Sequence, residues 1–253
     1  MSLFTLFAQT KSTKQTNTIV LVHGAWMDAS AWNKVVPILK AQGHEVITVN
    51  LPGHGKDNTP YANIQLQTYV DAVKNAIGSG TNITLVGHSM GGIVISEVAE
   101  QIPAQIKELV YVGAFIPQNG ESLLQLSGAD KETHIGKYLR PDQKAGAASI
   151  APEGIKEVFA ADAPEAVVNN LVATHKADAF APLATPVVLT EANFGQVKKA
   201  YVYTLNDQAI GYTLQQAMVK HTNVSATYAL PSSHSPFFSM PGVLAAIILQ
   251  EAK

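Results

Sequence analysis

Leu85-Val86-Gly87-His88-Ser89-Met90-Gly91-Gly92-Ile93-Val94 is an apolar run interrupted by three glycines around a single hydroxyl. Glycine is costly inside regular structure, so the backbone there must need it. The left flank, "NITLVG", reads as a buried strand, and "SMGGIVISEVAEQI" to the right reads as a helix. Ser89 therefore occupies a sharp strand-to-helix turn in the pattern Gly87-x-Ser89-x-Gly91. A Cβ at either glycine would clash in so tight a turn, and the serine hydroxyl is pushed out above the sheet. Ser89 also stands at the start of the helix, where free N–H groups favour a developing anion. Two readings are open for it, a nucleophile or a plain N-cap.

Working outward, the same alternation extends in both directions. "TIVLVHG" and "HEVITVN" read as strands, with "DASAWNKVVPILKAQG" between them as a helix. In that helix Trp32, Val35, Val36 and Leu39 share one face and Gly43 is the stop. "LPGHGKDNTP" is turn-rich, "IQLQTYVDAVKNAIGSG" a helix, and "IKELVYVGAF" the fourth strand. Near Pro117 the alternation stops. It returns with strand "KKAYVYTL", helix "IGYTLQQAMVKH", strand "VSATYAL" and the closing helix "PGVLAAIILQEA". The expected fold class is α/β: about six mostly parallel strands flanked by helices. Residues 18–116 and 195–253 form the core. Residues 117–194 form an inserted helical cap, helical and irregular, without a buried strand.

The 253 residues suit one large domain, and a hydrophobic content of 47% with 14% charged residues supplies a sizeable core. A net charge of −2 without a basic face argues against a nucleic-acid partner. With no cysteine, disulfides, thiolate metal sites and cysteine nucleophiles are excluded. The eight histidines lack metal-ligand spacing, so no metal site is expected. Residues 1–17 read as a tail. Its apolar run Leu3 to Ala8 is either the end of a signal peptide lacking its basic start or an ordinary frayed terminus. The first would make the protein periplasmic or secreted, the second cytoplasmic. Apolar stretches elsewhere are too short for stable membrane insertion, and a monomer or a homodimer is expected.

A serine hydroxyl needs a base, and the base needs an orienting group. Among the histidines, His234 in "LPSSHSPF" follows the last strand at its carboxyl end, the edge where Ser89 also lies. The competing reading is a surface-loop histidine. His23 and His88 stand beside glycines at strand ends and brace turns. Asp207 in "YVYTLNDQAI" is the carboxylate closing the penultimate strand, with a helix N-cap as its alternative role and Glu121 as the fallback acid. For an oxyanion, the Met90 N–H offers one donor and the loop His23-Gly24-Ala25-Trp26 another, from Ala25.

"VLVHGAW", "LPGHG", "LVGHSMGG", "TLNDQA" and "SSHSP" resemble the α/β-hydrolase superfamily. They are similar in particular to its small branch of plant methylesterases, hydroxynitrile lyases and related bacterial esterases. The resemblance covers the chain after residue 17. It implies the α/β-hydrolase fold and a cofactor-free serine hydrolase with Ser89, Asp207 and His234 as triad and Ala25 and Met90 as oxyanion donors. The lyases of the branch carry threonine where this chain has Gly24, and lysine where it has Ser235. Both departures favour ester hydrolysis over cyanohydrin cleavage.

Trp26, Phe115, Tyr138, Phe159, Phe180 and Phe237 fall in or beside the cap and the histidine loop. They are candidates for an apolar cleft, each alternatively ordinary core. The expected activity is a carboxylesterase acting through an acyl-enzyme on a small, largely apolar or aromatic ester. The alternatives are a receptor-like ligand-binding protein with slow turnover, or a cofactor-free lyase or perhydrolase.

Overall fold

The computed structural model describes residues 17–253, so the apolar run Leu3 to Ala8 lies outside the described residues. Six parallel strands form the main sheet: β1 (Thr18–Val22), β2 (Glu45–Val49), β3 (Ile83–His88), β4 (Ile106–Val112), β8 (Lys198–Thr204) and β9 (Ala226–Leu230). Their order is β2-β1-β3-β4-β8-β9. Register pairs Val22 with Gly87 and Gly87 with Tyr111, so the three central strands end level with one another. β1 and β3 read as near-continuous apolar runs because both of their faces are covered; all six residues of β3 are buried. The edge strands β2 and β9 are more exposed, and β9 alternates between exposed and partly buried residues.

Helices α1 (Val36–Ala41), α2 (Leu66–Ile77), α3 (Gly91–Gln101), α9 (Tyr212–Lys220), α10 (Pro236–Ser239) and α11 (Pro241–Glu251) belong to the core. In α2 the buried residues Leu66, Tyr69, Val70, Val73 and Ile77 recur at helical spacing. Burying each such side chain contributes about 2 kcal/mol. Gln65 and Thr68 close a capping box at its start. α2 packs against α3, and α1 against α11.

Between β4 and β8 lie α4 (Leu123–Ala129), α5 (Ile135–Tyr138), α6 (Ile155–Phe159), α7 (Glu165–Thr174) and α8 (Phe180–Ala184). The segment is not purely helical. Strands β5 (Leu139–Asp142), β6 (Ala147–Ile150) and β7 (Asp178–Ala179) form a second, antiparallel sheet, which corrects the expectation of a strandless cap. These strands evade sequence reading for physical reasons. β5 carries Pro141, β6 is rich in alanine, the best helix former, and β7 has two residues.

Candidate active site

Ala25, Ser89, Phe115, Asp207 and His234 all follow the carboxyl ends of main-sheet strands, so the parallel sheet delivers them to one edge. Ser89 has a left-handed backbone, φ 54°, which costs a side-chain-bearing residue about 1–3 kcal/mol. The surroundings enforce it. The Ser89 carbonyl accepts the Gly92 and Phe115 N–H groups at 3.0 and 3.2 Å. A Cβ on Gly91 would stand 2.9 Å from the Val22 and His23 carbonyl oxygens, so only glycine lets α3 come this close to β1.

Asp207 and His234 meet directly: His234 Nδ1 lies 2.8 Å from Asp207 Oδ2. Every other contact of this carboxylate is also a donor. Thr204 Oγ1 donates to Oδ2 at 2.7 Å, and the Ala209 and Ile210 N–H groups donate to Oδ1 at 2.7 and 2.9 Å. A carboxylate so surrounded is an acceptor only, so the His234 proton sits on Nδ1 and Nε2 is left with its lone pair. The ring is buried, 1% exposed, and Ser89 is 8% exposed.

His88 joins the serine to the histidine. Its Nε2–H donates to the His234 carbonyl at 2.9 Å, and the two ring centroids are 4.5 Å apart. Burial and the neighbouring His234 hold its pKa well below the ordinary histidine value, so the ring is neutral. His23 is neutral too, pushed down to about 3 by burial and by His54 beside it. The Leu51 N–H donates to its Nε2 at 3.1 Å, so Nδ1 carries the proton and donates to the Gly24 carbonyl at 2.8 Å. That bond fixes the Gly24–Ala25 peptide. Gly24 itself is required by close approach: a Cβ there would be 2.7 Å from Ser89 Cβ. The N–H groups of Ala25 and Met90 make no hydrogen bond among the described residues, although both residues are buried.

The aromatic candidates divide. Phe159 reaches the site, its centroid 5.8 Å from the His234 ring and 5.7 Å from Trp26. Phe115 is tied to Ser89 through its backbone. Phe237 packs between Trp32 and His88 and is core rather than cleft wall. Tyr138 turns to Glu157, donating at 2.6 Å, and stays within the cap. Phe180 makes no ring contact with the site among the described residues. A groove of about 540 Å³ opens between α7 and residues 26–34, lined by Asp28, Lys34, Leu171, His175 and Phe238 among others. Trp26 also lines it, whereas Ser89 and His234 do not. Sequence reading missed Asp162 and Asp178, cap carboxylates that bond to the loops carrying His234 and Ala25. No local pattern marks either one.

Residues 19–247 match the model of the alpha/beta hydrolase family. The chain belongs to that family. This alpha/beta hydrolase is 29% identical to the pyrethroid hydrolase of Sphingobium wenxiniae over 241 residues, covering 91% of this chain and 85% of the relative. It is 26% identical to methylesterase 9 of Arabidopsis thaliana over 262 residues, covering 92% and 97%. Among solved structures, an extracellular alpha/beta-hydrolase from a Paenibacillus species superimposes with a TM-score of 0.81 at 26% identity, covering 93% and 98%. Three chloroplastic relatives from Arabidopsis thaliana are longer, and the chain spans 65%, 56% and 56% of their length. These likenesses lie in the methylesterase-like branch of the family.

Proposed function

We propose that the protein is a carboxylic ester hydrolase that works through an acyl-enzyme on Ser89. The observation that carries this reading is the Asp207–His234 hydrogen bond of 2.8 Å, which leaves His234 Nε2 as the base for Ser89, a strained residue at the same edge of the sheet. His234 takes the Ser89 proton as Oγ attacks the ester carbonyl. The oxyanion is received by the Ala25 and Met90 N–H groups, each contributing about 3 kcal/mol at the transition state. The imidazolium then protonates the leaving alcohol, and water repeats the sequence to release the acid. The names methylesterase and pyrethroid hydrolase, carried by relatives across most of the chain, agree with an ester whose flanks are largely apolar. Phe159 beside His234, with Trp26 packed against Phe159, suits such a flank.

The test is hydrolysis of p-nitrophenyl acetate, butyrate and octanoate by the wild type and by Ser89→Ala. Turnover that falls by at least about a thousandfold in the variant supports the serine mechanism. Equal rates in the two proteins overturn it. Cyanide release from mandelonitrile would instead support a lyase, against which Gly24 and the buried Ser235 both stand.

A further inference from the structure

Trp26 has a left-handed backbone, φ 59°, and two hydrogen bonds from the inserted segment hold it there. Its indole N–H donates to the Ala148 carbonyl of β6 at 2.8 Å. Its main-chain N–H donates to Asp178 Oδ2, on β7, at 3.1 Å. Asp178 is fully buried and meets three donors in all: Tyr69 Oη reaches Oδ1 at 2.9 Å, and His54 Nε2 reaches Oδ2 at 2.8 Å. The other His54 nitrogen faces the Pro52 carbonyl at 3.0 Å. Both ring nitrogens thus meet acceptors, so the ring is an imidazolium and the buried carboxylate has a buried counter-ion. Burial works against the His54 charge, but Asp178 outweighs it and the His54 pKa is raised. Burial likewise works against the Asp178 charge, and His54, Tyr69 and Trp26 together hold its pKa low.

We propose that Asp178 is a positioning residue for ester hydrolysis: by holding the Trp26 N–H it keeps the Ala25 N–H turned toward the oxyanion at Ser89. This rests on the esterase reading above. Two successive peptides are pinned from opposite sides. His23 holds the Gly24–Ala25 peptide by its carbonyl, and Asp178 holds the Ala25–Trp26 peptide by its N–H. The Ala25 N–H between these anchors is the group that meets no partner among the described residues. Without Asp178, Trp26 loses an anchor of its left-handed conformation, and the peptide plane beside the oxyanion site is freed. Because an oxyanion forms only in the transition state, the loss should fall on kcat rather than on KM. The His54 charge matters here as well, since a lone carboxylate behind the site would oppose a developing anion.

The experiment compares wild type, Asp178→Ala and Asp178→Asn in the full chain. It measures p-nitrophenyl butyrate kinetics and inhibition by an aryl trifluoromethyl ketone. In that inhibitor adduct, Ser89 Oγ bonds to the carbonyl carbon, the carbonyl oxygen becomes the oxyanion, and His234 keeps the proton. For Asp178→Ala the expected result is a kcat about a hundredfold lower with KM within about threefold, and a ketone Ki raised in the same proportion as kcat/KM falls. Asp178→Asn keeps an oxygen for Trp26 and His54 and offers its NH₂ to Tyr69, so it should recover most of the rate. Wild-type kcat and Ki in Asp178→Ala, or a loss confined to KM, overturns the proposal. Should the alanine variant not fold, amide hydrogen exchange in the wild type and in Asp178→Asn decides. Slow exchange at Trp26 supports the anchor, and exchange there as fast as in exposed loops overturns it. A wild type without Ser89-dependent turnover overturns the esterase reading and this one together. An active wild type with an unaffected Asp178→Ala overturns this one alone.

Discussion

Asp162, an exposed residue after α6, holds Ser233 twice: the Ser233 N–H donates to Oδ2 at 2.9 Å, and its hydroxyl donates to Oδ1. Ser233 immediately precedes His234, so a side chain of the inserted segment fixes the loop that carries His234. Asp162→Ala should reduce kcat about tenfold through misplacement of His234. It should lower Tm by only about 2–4 °C, since the bonds are partly solvated. Kinetics and thermal melting of the same preparation check both, and an unaltered kcat would show that β9 and His88 position the loop unaided.

Asp207→Asn should be far more damaging to rate than to stability. The Ala209 and Ile210 N–H groups will hold the amide oxygen, because they can only donate. The NH₂ then faces His234 Nδ1 and forces the ring proton onto Nε2, which removes the base. A loss of about ten thousandfold in kcat is expected near neutral pH. A loss below about tenfold would mean that another group orients His234.

Gly24→Thr, which installs the residue found in the lyases, should fail as a route to cyanohydrin cleavage here. Its Cβ would meet Ser89 Cβ at 2.7 Å and His88 Nδ1 at 2.9 Å. Esterase activity should fall at least about a hundredfold, with a lowered Tm. Retained hydrolysis together with cyanide release from mandelonitrile would show that the elbow can shift.

Far from the site, Glu108 on β4 and Glu251 on α11 are buried together and share Lys198, which lies 3.0 and 3.2 Å from them. Burial and the neighbouring Glu251 push Glu108 up to about 7 from its ordinary 4.5. The native state therefore keeps a proton on Glu108 that the unfolded chain releases, and Glu108 costs stability as pH rises from 4.5 to 7. Glu108→Gln mimics the protonated form. Its Tm relative to wild type should increase between pH 5 and pH 8; a pH-independent difference would show that Lys198 neutralises both carboxylates.

Legibility in the sequence followed locality. Ser89 and its glycines lie within a few residues, so the demand for a left-handed turn is written in one decapeptide. Asp207 and His234 are legible one step further out, because a parallel sheet sends every strand-end loop to the same edge. Asp178 was not, since its partners Trp26, His54 and Tyr69 lie more than a hundred residues away along the chain. Tyr138 and Phe180 show the converse: aromatic content near a site says nothing about where a ring points. The strands of the inserted segment failed for want of length, as two to four residues carry no period to read.

The hold that Ala148, Asp162 and Asp178 take on Trp26 and Ser233 bears on how new specificities arise in this family. Inserted segments look like modules that could be exchanged among relatives to present a different surface to the ligand. Here the graft would also remove the acceptors that shape two loops of the recipient. A segment from another lineage therefore has to bring matching acceptors, or the strand-end loops must travel with it as one heritable unit.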